Sequence, residues 1–284
     1  MTGLVVAAYR RHYDVLAGGA TVACVQKGRS LRIAVGDRVL LESARDGGVI
    51  TGVEPRRNLV FRSDAFKEKL LAANVTQIAA VVAPDIGLDE DLINRWMIAA
   101  ETAGCRYIVF ANKEDLPGYP RLRERLAPYE SLGYVVVPIC AQRDAEPARV
   151  WLRGQHTVLV GQSGMGKSTL INALVPQAQA RTEEVSESLS AGRHTTTSTT
   201  LYALDEDSWV VDSPGMKVFG LAHVAHDDLP AAFVEMRPFL GHCRFRNCRH
   251  DAEPGCAVTE AVANGAIAPY RLALLHALWR EAGA

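Results

Sequence analysis

The feature that most restricts how this chain can fold is a glycine-rich octapeptide, Gly161-Gln-Ser-Gly-Met-Gly-Lys-Ser168. It fits G-x-x-x-x-G-K-[S/T] at every fixed position, with an apolar run at 157–160 before it and a helical pattern after it. This context predicts a loop between a buried strand and a helix, with backbone N–H groups aimed at phosphate oxygens. We expect Lys167 to reach the β- and γ-phosphates of a nucleotide and the Ser168 hydroxyl to ligate Mg²⁺. A glycine-rich turn without a ligand is the alternative.

A second motif is of the kind that recognises the base of a bound nucleotide. It follows the apolar run 107–111, fits the pattern N-K-x-D, and consists of Asn112, Lys113, Glu114 and Asp115. A carboxylate accepts hydrogen bonds from both N1–H and N2–H₂ of guanine, whereas adenine offers no such pair of donors. The pattern therefore predicts a guanine nucleotide rather than an adenine nucleotide. Because four residues alone are a weak motif, a polar turn is the alternative.

Two further segments have the residues of nucleotide-sensing switches. Asp212-Ser-Pro-Gly215 fits D-x-x-G, whose Asp reaches Mg²⁺ through water and whose Gly N–H contacts the γ-phosphate. Upstream, Gly192-Arg-His-Thr-Thr-Thr197 offers hydroxyls for a second contact to Mg²⁺, for which we select Thr196, with a polar linker as the alternative. The residues expected to bind the guanine nucleotide are Asn112, Lys113, Glu114, Asp115, Cys140, Ala141, Gly161, Gln162, Ser163, Gly164, Met165, Gly166, Lys167, Ser168, Thr169, Asp212 and Gly215.

The order of these motifs is unusual. A common G domain runs from the phosphate loop through the switches to N-K-x-D and a final Ser-Ala, but here the base reader at 112–115 and Cys140-Ala141 precede the phosphate loop. A circular permutation explains the rotation, because chain termini tend to lie close together at the surface. D-x-x-G then leads directly into the C-terminal segment, so ordering of the switches is expected to move that segment.

The remaining sequence suggests three regions. Short strands at 15–17, 20–26, 31–33, 38–43, 48–53 and 59–62 predict a small OB-type barrel, with an SH3-like barrel as the alternative. From residue 76, apolar strands alternate with helices, as in a parallel sheet; helices are expected again at 227–239, 257–264 and 269–282. The expected fold is therefore multidomain: an N-terminal OB-type β-barrel (1–65), a circularly permuted α/β P-loop GTPase domain (66–221) and a C-terminal helical zinc-binding domain (222–284).

The C-terminal region has a metal-ligand pattern. Cys243, Cys248, His250 and Cys256 offer three thiolates and one imidazole within fourteen residues, a set that closed tetrahedral zinc sites use. We expect one structural Zn²⁺; His242 is a competing ligand, and buried cysteines beside a surface histidine are the alternative. The other three cysteines are scattered, which fits a reducing cytoplasm better than a disulfide framework.

Charge is unevenly distributed in a chain of 284 residues whose formal net charge is −1. Residues 1–62 contain ten Lys/Arg and five Asp/Glu, a net charge of +5, so the rest has −6. A basic N-terminal region suggests contact with a polyanion, although a solvated face of a barrel is the plainer interpretation. No apolar stretch reaches membrane-spanning length, so we expect no membrane contact. A cytoplasmic location and a monomeric state are separate expectations.

Taken together, these motifs resemble the RsgA (YjeQ/YloQ) family of GTPases of bacterial ribosome assembly. The resemblance includes Val35-Gly-Asp-Arg38, Pro55-Arg-Arg-Asn58, Phe219-Gly-Leu221 and Glu253-Pro-Gly-Cys-Ala-Val258 beside the motifs above, and covers nearly the whole chain. It implies a factor that binds the small (30S) ribosomal subunit and its 16S rRNA late in maturation, with GTP hydrolysis to GDP stimulated by the subunit. Cys140 departs from the usual Ser, which matters little for a backbone contact.

The predicted mechanism lacks one group. Many GTPases place a water-orienting Gln directly after D-x-x-G, and Met216 occupies that position here. Slow intrinsic hydrolysis is expected, and His194 is our candidate for the missing catalytic group, with RNA contact as its alternative role. Two other functions stay open at this point: an RNA-binding module in which the nucleotide is only a structural switch, and an ATP-using P-loop enzyme.

Overall fold

The computed structural model describes residues 1–9, 12–28, 30–44, 47–63, 68–175, 199–212, 221 and 224–282. Its strands are β1 Thr2–Ala8, β2 Tyr13–Ala17, β3 Ala20–Gln26, β4 Arg38–Ala44, β5 Gly47–Val53, β6 Leu59–Ser63, β7 Glu68–Ala73, β8 Gln77–Val82, β9 Arg106–Ala111, β10 Val135–Pro138, β11 His156–Val160, β12 Thr199–Ala203 and β13 Trp209–Asp212. Its helices are α1 Glu90–Thr102, α2 Tyr119–Ser131, α3 Glu146–Leu152, α4 Lys167–Leu174, α5 Ala257–Ala263 and α6 Pro269–Ala282. Within these ranges, no helix is long and apolar enough to cross a bilayer.

The first five strands form a barrel with its own core. They follow the order β1-β2-β3-β5-β4, and β4 pairs again with β1, which closes the sheet. The pairing of β3 with β5 is parallel, and this order is that of a five-stranded OB-type barrel. Inward residues such as Val5, Val15 and Ile50 are fully buried, in alternation with outward residues along each strand. The predicted OB-type barrel is confirmed.

A second sheet region provides the platform for the motifs. The strand order is β10-β9-β8-β11-β13-β12, with parallel pairing from β10 through β13 and antiparallel pairing of β12 with β13. Most side chains of β8 and β9 are buried, as expected for strands covered by helices on both faces. Parallel strands end at one common edge of a sheet, so the loops that follow β8, β9, β11 and β13 meet there.

The barrel and the parallel sheet are joined through their backbones. β1 pairs with β12, with Ala7 opposite Thr200 and Ala8 opposite Thr199, so all eleven of these strands form one continuous sheet. Near this joint, beside Gly36, which approaches Trp209 of the parallel sheet, a partly buried ion pair lies within the barrel: the Nε and Nη2 of Arg56 donate to the two carboxylate oxygens of Asp37 at 2.7 and 2.8 Å. The Asp37 carboxylate also accepts from the backbone N–H of Ala34 at 2.7 Å. This arrangement gives a structural role to the Val-Gly-Asp-Arg and Pro-Arg-Arg-Asn segments.

The C-terminal region packs against helix α1. Arg271 of α6 is 1% exposed, donates to Glu235 and to the side chain of Asn94 in α1, and lies 4.6 Å above the ring of Phe233. At the surface, Arg95 of α1 forms a two-point hydrogen-bonded ion pair with Glu281. Arg271 and Glu281 thus link the C-terminal region to α1, through Asn94 and Arg95 respectively.

Some sequence-based expectations were wrong. The expected helix at 227–239 is replaced by two 3-10 turns at Pro230–Ala232 and Arg237–Phe239, because Pro230 and Pro238 each remove a backbone donor from a continuous helix. Residues 31–33 do not form a strand, whereas β1, β7 and α3 were not anticipated. The predicted domain boundary at 65/66 lies within residues 64–67, which are outside the described part of the chain. The predicted boundary at 221/222 lies next to residues 213–220, 222 and 223, which are also outside it.

Candidate nucleotide site and metal centre

The phosphate loop lies where the octapeptide predicted it, between β11 and α4. Gly161 has a φ of 151°, and a Cβ there would lie 2.6 Å from the carbonyl oxygen of Val81 in the neighbouring strand β8. Gly166 has a φ of 98° and lies so close to the Asn112 side-chain amide that a Cβ would collide with it. These two glycines are therefore required by backbone conformation and by close approach, apart from any ligand. The side chains of Ser163 and Ser168 are exposed at the open side of the loop, and those of Gln162 and Thr169 are partly exposed.

The lysine of this loop is buried and held by the loop itself. The Nζ of Lys167 donates to the carbonyl oxygens of Gly161 at 2.7 Å and Gln162 at 3.0 Å. Burial lowers the pKa of Lys167, and the nearby Asp212 carboxylate opposes that shift. Burial correspondingly raises the pKa of Asp212, and Lys167 opposes it. A partly desolvated cation beside a carboxylate at the N-terminus of a helix is a favourable environment for phosphate and a metal ion.

The base-reading segment is fastened to the phosphate loop. Asn112, at the end of β9, donates from Nδ2 to the carbonyl oxygen of Met165 at 2.9 Å, and its Oδ1 accepts from the backbone N–H of Ala141 at 3.0 Å. Lys113 donates from Nζ to the carbonyl oxygen of Gly164 at 2.9 Å and to Asp85 at 2.6 Å. The structure therefore brings together three segments that are separate in sequence: 112–115, 140–141 and 161–168.

Asp115, the predicted reader of the guanine edge, lies at the rim of this site. Its carboxylate accepts from the Cys140 thiol at 3.3 Å and lies 3.2 Å from the Nη2 of Arg143. The pKa of Asp115 is lowered, first by the hydrogen bond from Cys140 and further by the positive charges of Arg143 and Lys113. The carboxylate is therefore ionised at neutral pH, as an acceptor for two N–H donors has to be. Glu114 is exposed beside it.

Several predicted residues lie outside the described part of the chain. These are Thr196 and His194 in the threonine-rich switch, Gly215 of D-x-x-G, and Met216. Their flanking residues are described: Thr199 is buried at the start of β12, and Asp212 ends β13 opposite Leu159 of β11. The described residues thus show that the first switch segment leads into β12, and that the second begins after β13, at the edge of the sheet that carries the phosphate loop.

The Cys₃His group is assembled as a compact cluster. One ligand atom from each of Cys243, Cys248, His250 and Cys256 lies within 4.8 Å of the others, and His242 is not part of the group. The Nδ1 of His250 is 3.5 Å from the Cys243 sulfur and 3.4 Å from the Cys256 sulfur, and these two sulfurs are 3.9 Å apart. A tetrahedral ion with Zn–S near 2.3 Å and Zn–N near 2.0 Å requires S···S of about 3.8 Å and S···N of about 3.5 Å. The donor set therefore fits one tetrahedral metal ion, and the cluster can hold it.

Sequence reasoning missed two residues at the nucleotide site. Asp85, in the loop after β8, forms an ion pair with Lys113, and Arg143 forms one with Asp115. Neither residue belongs to a motif. The position of β8 between β9 and β11 in a parallel sheet was the available signal, because it places the loop after β8 between the two motif loops.

The fold and the site define the class of protein. A six-stranded sheet carries a phosphate loop and a guanine-type reader at one edge, and the chain enters this domain at β8 rather than at the strand before the phosphate loop. This is a circularly permuted P-loop GTPase with an N-terminal OB-type barrel and a C-terminal metal-binding region, as the sequence predicted.

Comparison with known proteins identifies the family. The family model described as RsgA GTPase matches residues 53–222. A Small ribosomal subunit biogenesis GTPase RsgA from Burkholderia pseudomallei (strain K96243) is 49% identical over 99% of this chain and 92% of its own length. The protein of the same name from Nitrosomonas europaea is 45% identical over 98% of this chain and 90% of its own. The chain belongs to the RsgA GTPase family.

Solved structures share the architecture. YjeQ from Thermotoga maritima has a TM-score of 0.75 at 28% identity and covers 100% of this chain and 98% of its own. YloQ, whose structure is described as that of a circularly permuted GTPase, has a TM-score of 0.71 at 23% identity, covering 99% of this chain and 94% of its own. The likeness to YloQ supports the permuted fold alone.

Proposed function

We propose that this GTPase binds the small (30S) ribosomal subunit, assists its late maturation, and hydrolyses GTP to GDP and phosphate faster when bound to the subunit. The observation that carries the proposal is the 49% identity, over 99% of this chain, to a protein named Small ribosomal subunit biogenesis GTPase RsgA. The assembled guanine-type reader and phosphate loop support it, because they supply the nucleotide part of such a cycle.

In the proposed site, Asp115 accepts hydrogen bonds from the guanine edge, and Asn112 braces the loop that contacts the base. The backbone N–H groups of 161–168 bind the phosphates, and Lys167 leaves its carbonyl partners for the β- and γ-phosphates. Ser168 and Thr196 would ligate Mg²⁺, and Asp212 would hold it through water; a bound ion would neutralise charge that develops on the phosphates. Desolvation of Lys167 strengthens its attraction to phosphate, because the buried cation is poorly screened.

In this proposal, GTP hydrolysis is slow until the protein binds the small ribosomal subunit. Met216 has no hydrogen-bonding group that could orient an attacking water, so a second group has to do so. We assign that role to His194, in the threonine-rich switch two residues before Thr196, when the protein is bound to the subunit. Slow turnover of the free protein and fast turnover on the subunit follow from this arrangement.

The metal cluster has a structural role in the proposal, with zinc as its ion. Three thiolates and one imidazole favour Zn²⁺, and four protein ligands leave no open position for a substrate. Arg244, Arg246 and Arg249 are exposed on the same segment, which suits contact with phosphates of 16S rRNA. The basic N-terminal barrel would provide a second contact to rRNA.

The organisation of the chain completes the proposal. We retain an OB-type barrel at 1–65, a GTPase domain at 66–221 and a zinc-binding domain at 222–284 as the three functional units. Action on the small subunit implies a cytoplasmic protein, and one copy on each subunit implies that it works as a monomer.

The test is GTP turnover by the full chain with and without purified small subunits at fixed Mg²⁺. Stimulation by small subunits, with none by large subunits, is the expected result. Lys167→Ala should abolish turnover, and Glu206→Ala, at an exposed position away from the motif loops, is a matched control. His194→Ala should bind GTP and subunits normally but lose the stimulation.

Three outcomes would contradict parts of this proposal. Binding of GTP to the subunit complex without stimulated turnover would favour an RNA-binding module with the nucleotide as a structural switch. Displacement of GDP by ADP at equal concentration would favour an ATP-using enzyme. Full stimulation of His194→Ala would remove only the catalytic role of that residue.

A further inference from the structure

The loop that follows β8 contains a carboxylate that no motif includes. The Oδ2 of Asp85 accepts a hydrogen bond from the Nζ of Lys113 at 2.6 Å, and the same Nζ donates to the carbonyl oxygen of Gly164 at 2.9 Å. One ammonium group thus connects the base-reading segment, the phosphate loop and the loop after β8. An ammonium group has three donors, so two of them are used in these contacts.

The packing around Asp85 places the loop after β8 as a spacer between the base-reading segment and the phosphate loop. Ile86 lies against the phosphate loop, since a Cβ on Gly164 would be 3.0 Å from its Cδ1. On the other side, a Cβ on Gly118 would be 3.2 Å from the Cβ of Pro84. Because β8 lies between β9 and β11 in the sheet, its loop fills the space between the base reader and the phosphate loop.

The conformation of Lys113 depends on its contact with Asp85. Its φ of 61° lies in the left-handed region, which residues other than glycine seldom adopt. Its flexible four-carbon stem is 27% exposed, so without fixed partners it would sample many rotamers. Contacts with both Asp85 and Gly164 restrict the stem to one path, and they hold the 112–115 segment at one distance from the phosphate loop.

We propose that Asp85 is a positioning residue for guanine-nucleotide binding, which holds Lys113 and thereby sets the spacing between the base reader and the phosphate loop. The inference rests on the proposed function, since it requires a guanine nucleotide to bind across these two loops. A ligand that spans two loops binds more tightly when they are already held at the correct spacing, because less ordering remains to be done.

The experiment measures the Kd for GDP with the full chain by titration calorimetry. Asp85→Ala should raise the Kd about tenfold, as expected for loss of one charge-assisted hydrogen bond at a partly exposed site. Asp91→Ala is the matched control, because its carboxylate forms an ion pair of the same 2.6 Å length with Arg95 on α1, away from the nucleotide site. This control should keep the Kd within twofold, since Arg95 retains Glu281 as a partner.

A double-mutant cycle with Lys113→Ala separates positioning from a general structural role. If Asp85 acts through Lys113, the Asp85→Ala/Lys113→Ala protein should have the same Kd as Lys113→Ala alone. Asp85→Asn keeps the size of the side chain and a neutral acceptor, so it should lose less affinity than Asp85→Ala. Thermal unfolding without nucleotide would show whether any variant is misfolded, and Asp85→Asn then replaces Asp85→Ala in the cycle.

Each result has a separate meaning. If the wild-type chain binds GDP and Asp85→Ala binds it as well as Asp91→Ala does, the positioning role is refuted and the proposed function stands. Additive effects in the cycle also refute the positioning role. If the wild-type chain itself does not bind GDP, the proposed function fails, and this inference fails with it.

Discussion

Removal of the Asp37 carboxylate should loosen the barrel next to its joint with the parallel sheet. Asp37 is fully buried and receives three hydrogen bonds, two from Arg56 and one from the backbone N–H of Ala34. Loss of one partner of a buried ion pair costs about 3–5 kcal/mol, because the other charge stays behind without compensation. The Arg56 side chain is 23% exposed and can regain some hydration, so we expect about 3 kcal/mol for Asp37→Ala.

Substitution of the partner residue, Arg56, should destabilise the folded protein more than substitution of Asp37. Arg56→Ala leaves a carboxylate with no solvent exposure, whose remaining hydrogen bond comes from Ala34, so we expect about 5 kcal/mol. The double variant Asp37→Ala/Arg56→Ala should cost less than the sum, since no unpaired charge is left. The predicted order of stability thus follows from how much water each orphaned group can reach.

Native-state hydrogen exchange is the suitable assay, because it reports local opening and does not require the whole chain to unfold in one step. The amides to follow are Gly36, which donates to Val5, and Ala73, which donates to Val35. At 1.4 kcal/mol for each factor of ten, about 3 kcal/mol corresponds to exchange roughly a hundredfold faster. Glu42→Ala removes the exposed pair with Lys27 on the same barrel and serves as the control. Exchange of Gly36 and Ala73 in Asp37→Ala within threefold of that control would show that the Asp37–Arg56 pair does not stabilise this part of the barrel.

Two further predictions concern the nucleotide and the metal. Asp115→Asn replaces an acceptor with a side chain that also donates, so the affinity for GDP should fall about a hundredfold or more and the affinity for xanthosine diphosphate should rise. Competition binding between the two nucleotides measures this change. An unchanged preference for GDP would contradict the role of Asp115 in recognising guanine. Chelation, or Cys248→Ser, should release about one equivalent of metal, measured by mass spectrometry. It should also accelerate hydrogen exchange of Thr259, whose N–H donates to the Cys256 sulfur, while the affinity for GDP stays constant. Retention of the metal would refute the ligand assignment.

Motifs whose chemistry is local were predictable from the sequence. The phosphate loop, 112–115 and the Cys₃His cluster each owe their recognition to residues close together in the chain, and the structure places all three groups as assembled sites. The permutation was equally visible, because it changes the order of the motifs and leaves their residues intact. The expected helix at 269–282 was also found, as α6, with the same ends.

Elements that depend on distant partners were not predictable in this way. β7 reads Glu-Lys-Leu-Leu-Ala-Ala, a composition that favours a helix, and its pairing with β6 overrides that preference. β1 is an apolar run at the start of the chain, and its partners β2, β4 and β12 come from very different parts of the sequence. Asp85 was missed for the same reason, since only the order of strands in the sheet brings it to Lys113.

The docking of the C-terminal region bears on which part of the molecule responds to the nucleotide. D-x-x-G leads into this region along the chain, but the region is fixed on α1 by the buried Arg271 and by the Arg95–Glu281 pair. Moving it away from α1 would break the Arg95–Glu281 pair and would deprive the buried Arg271 side chain of its acceptor Asn94, which costs free energy. In contrast, the threonine-rich switch continues directly into β12, which is held to barrel strand β1 through two registered pairs at Thr199 and Thr200. We therefore expect a change in that switch to reach the basic barrel through β12 and β1, beside any change in the C-terminal region.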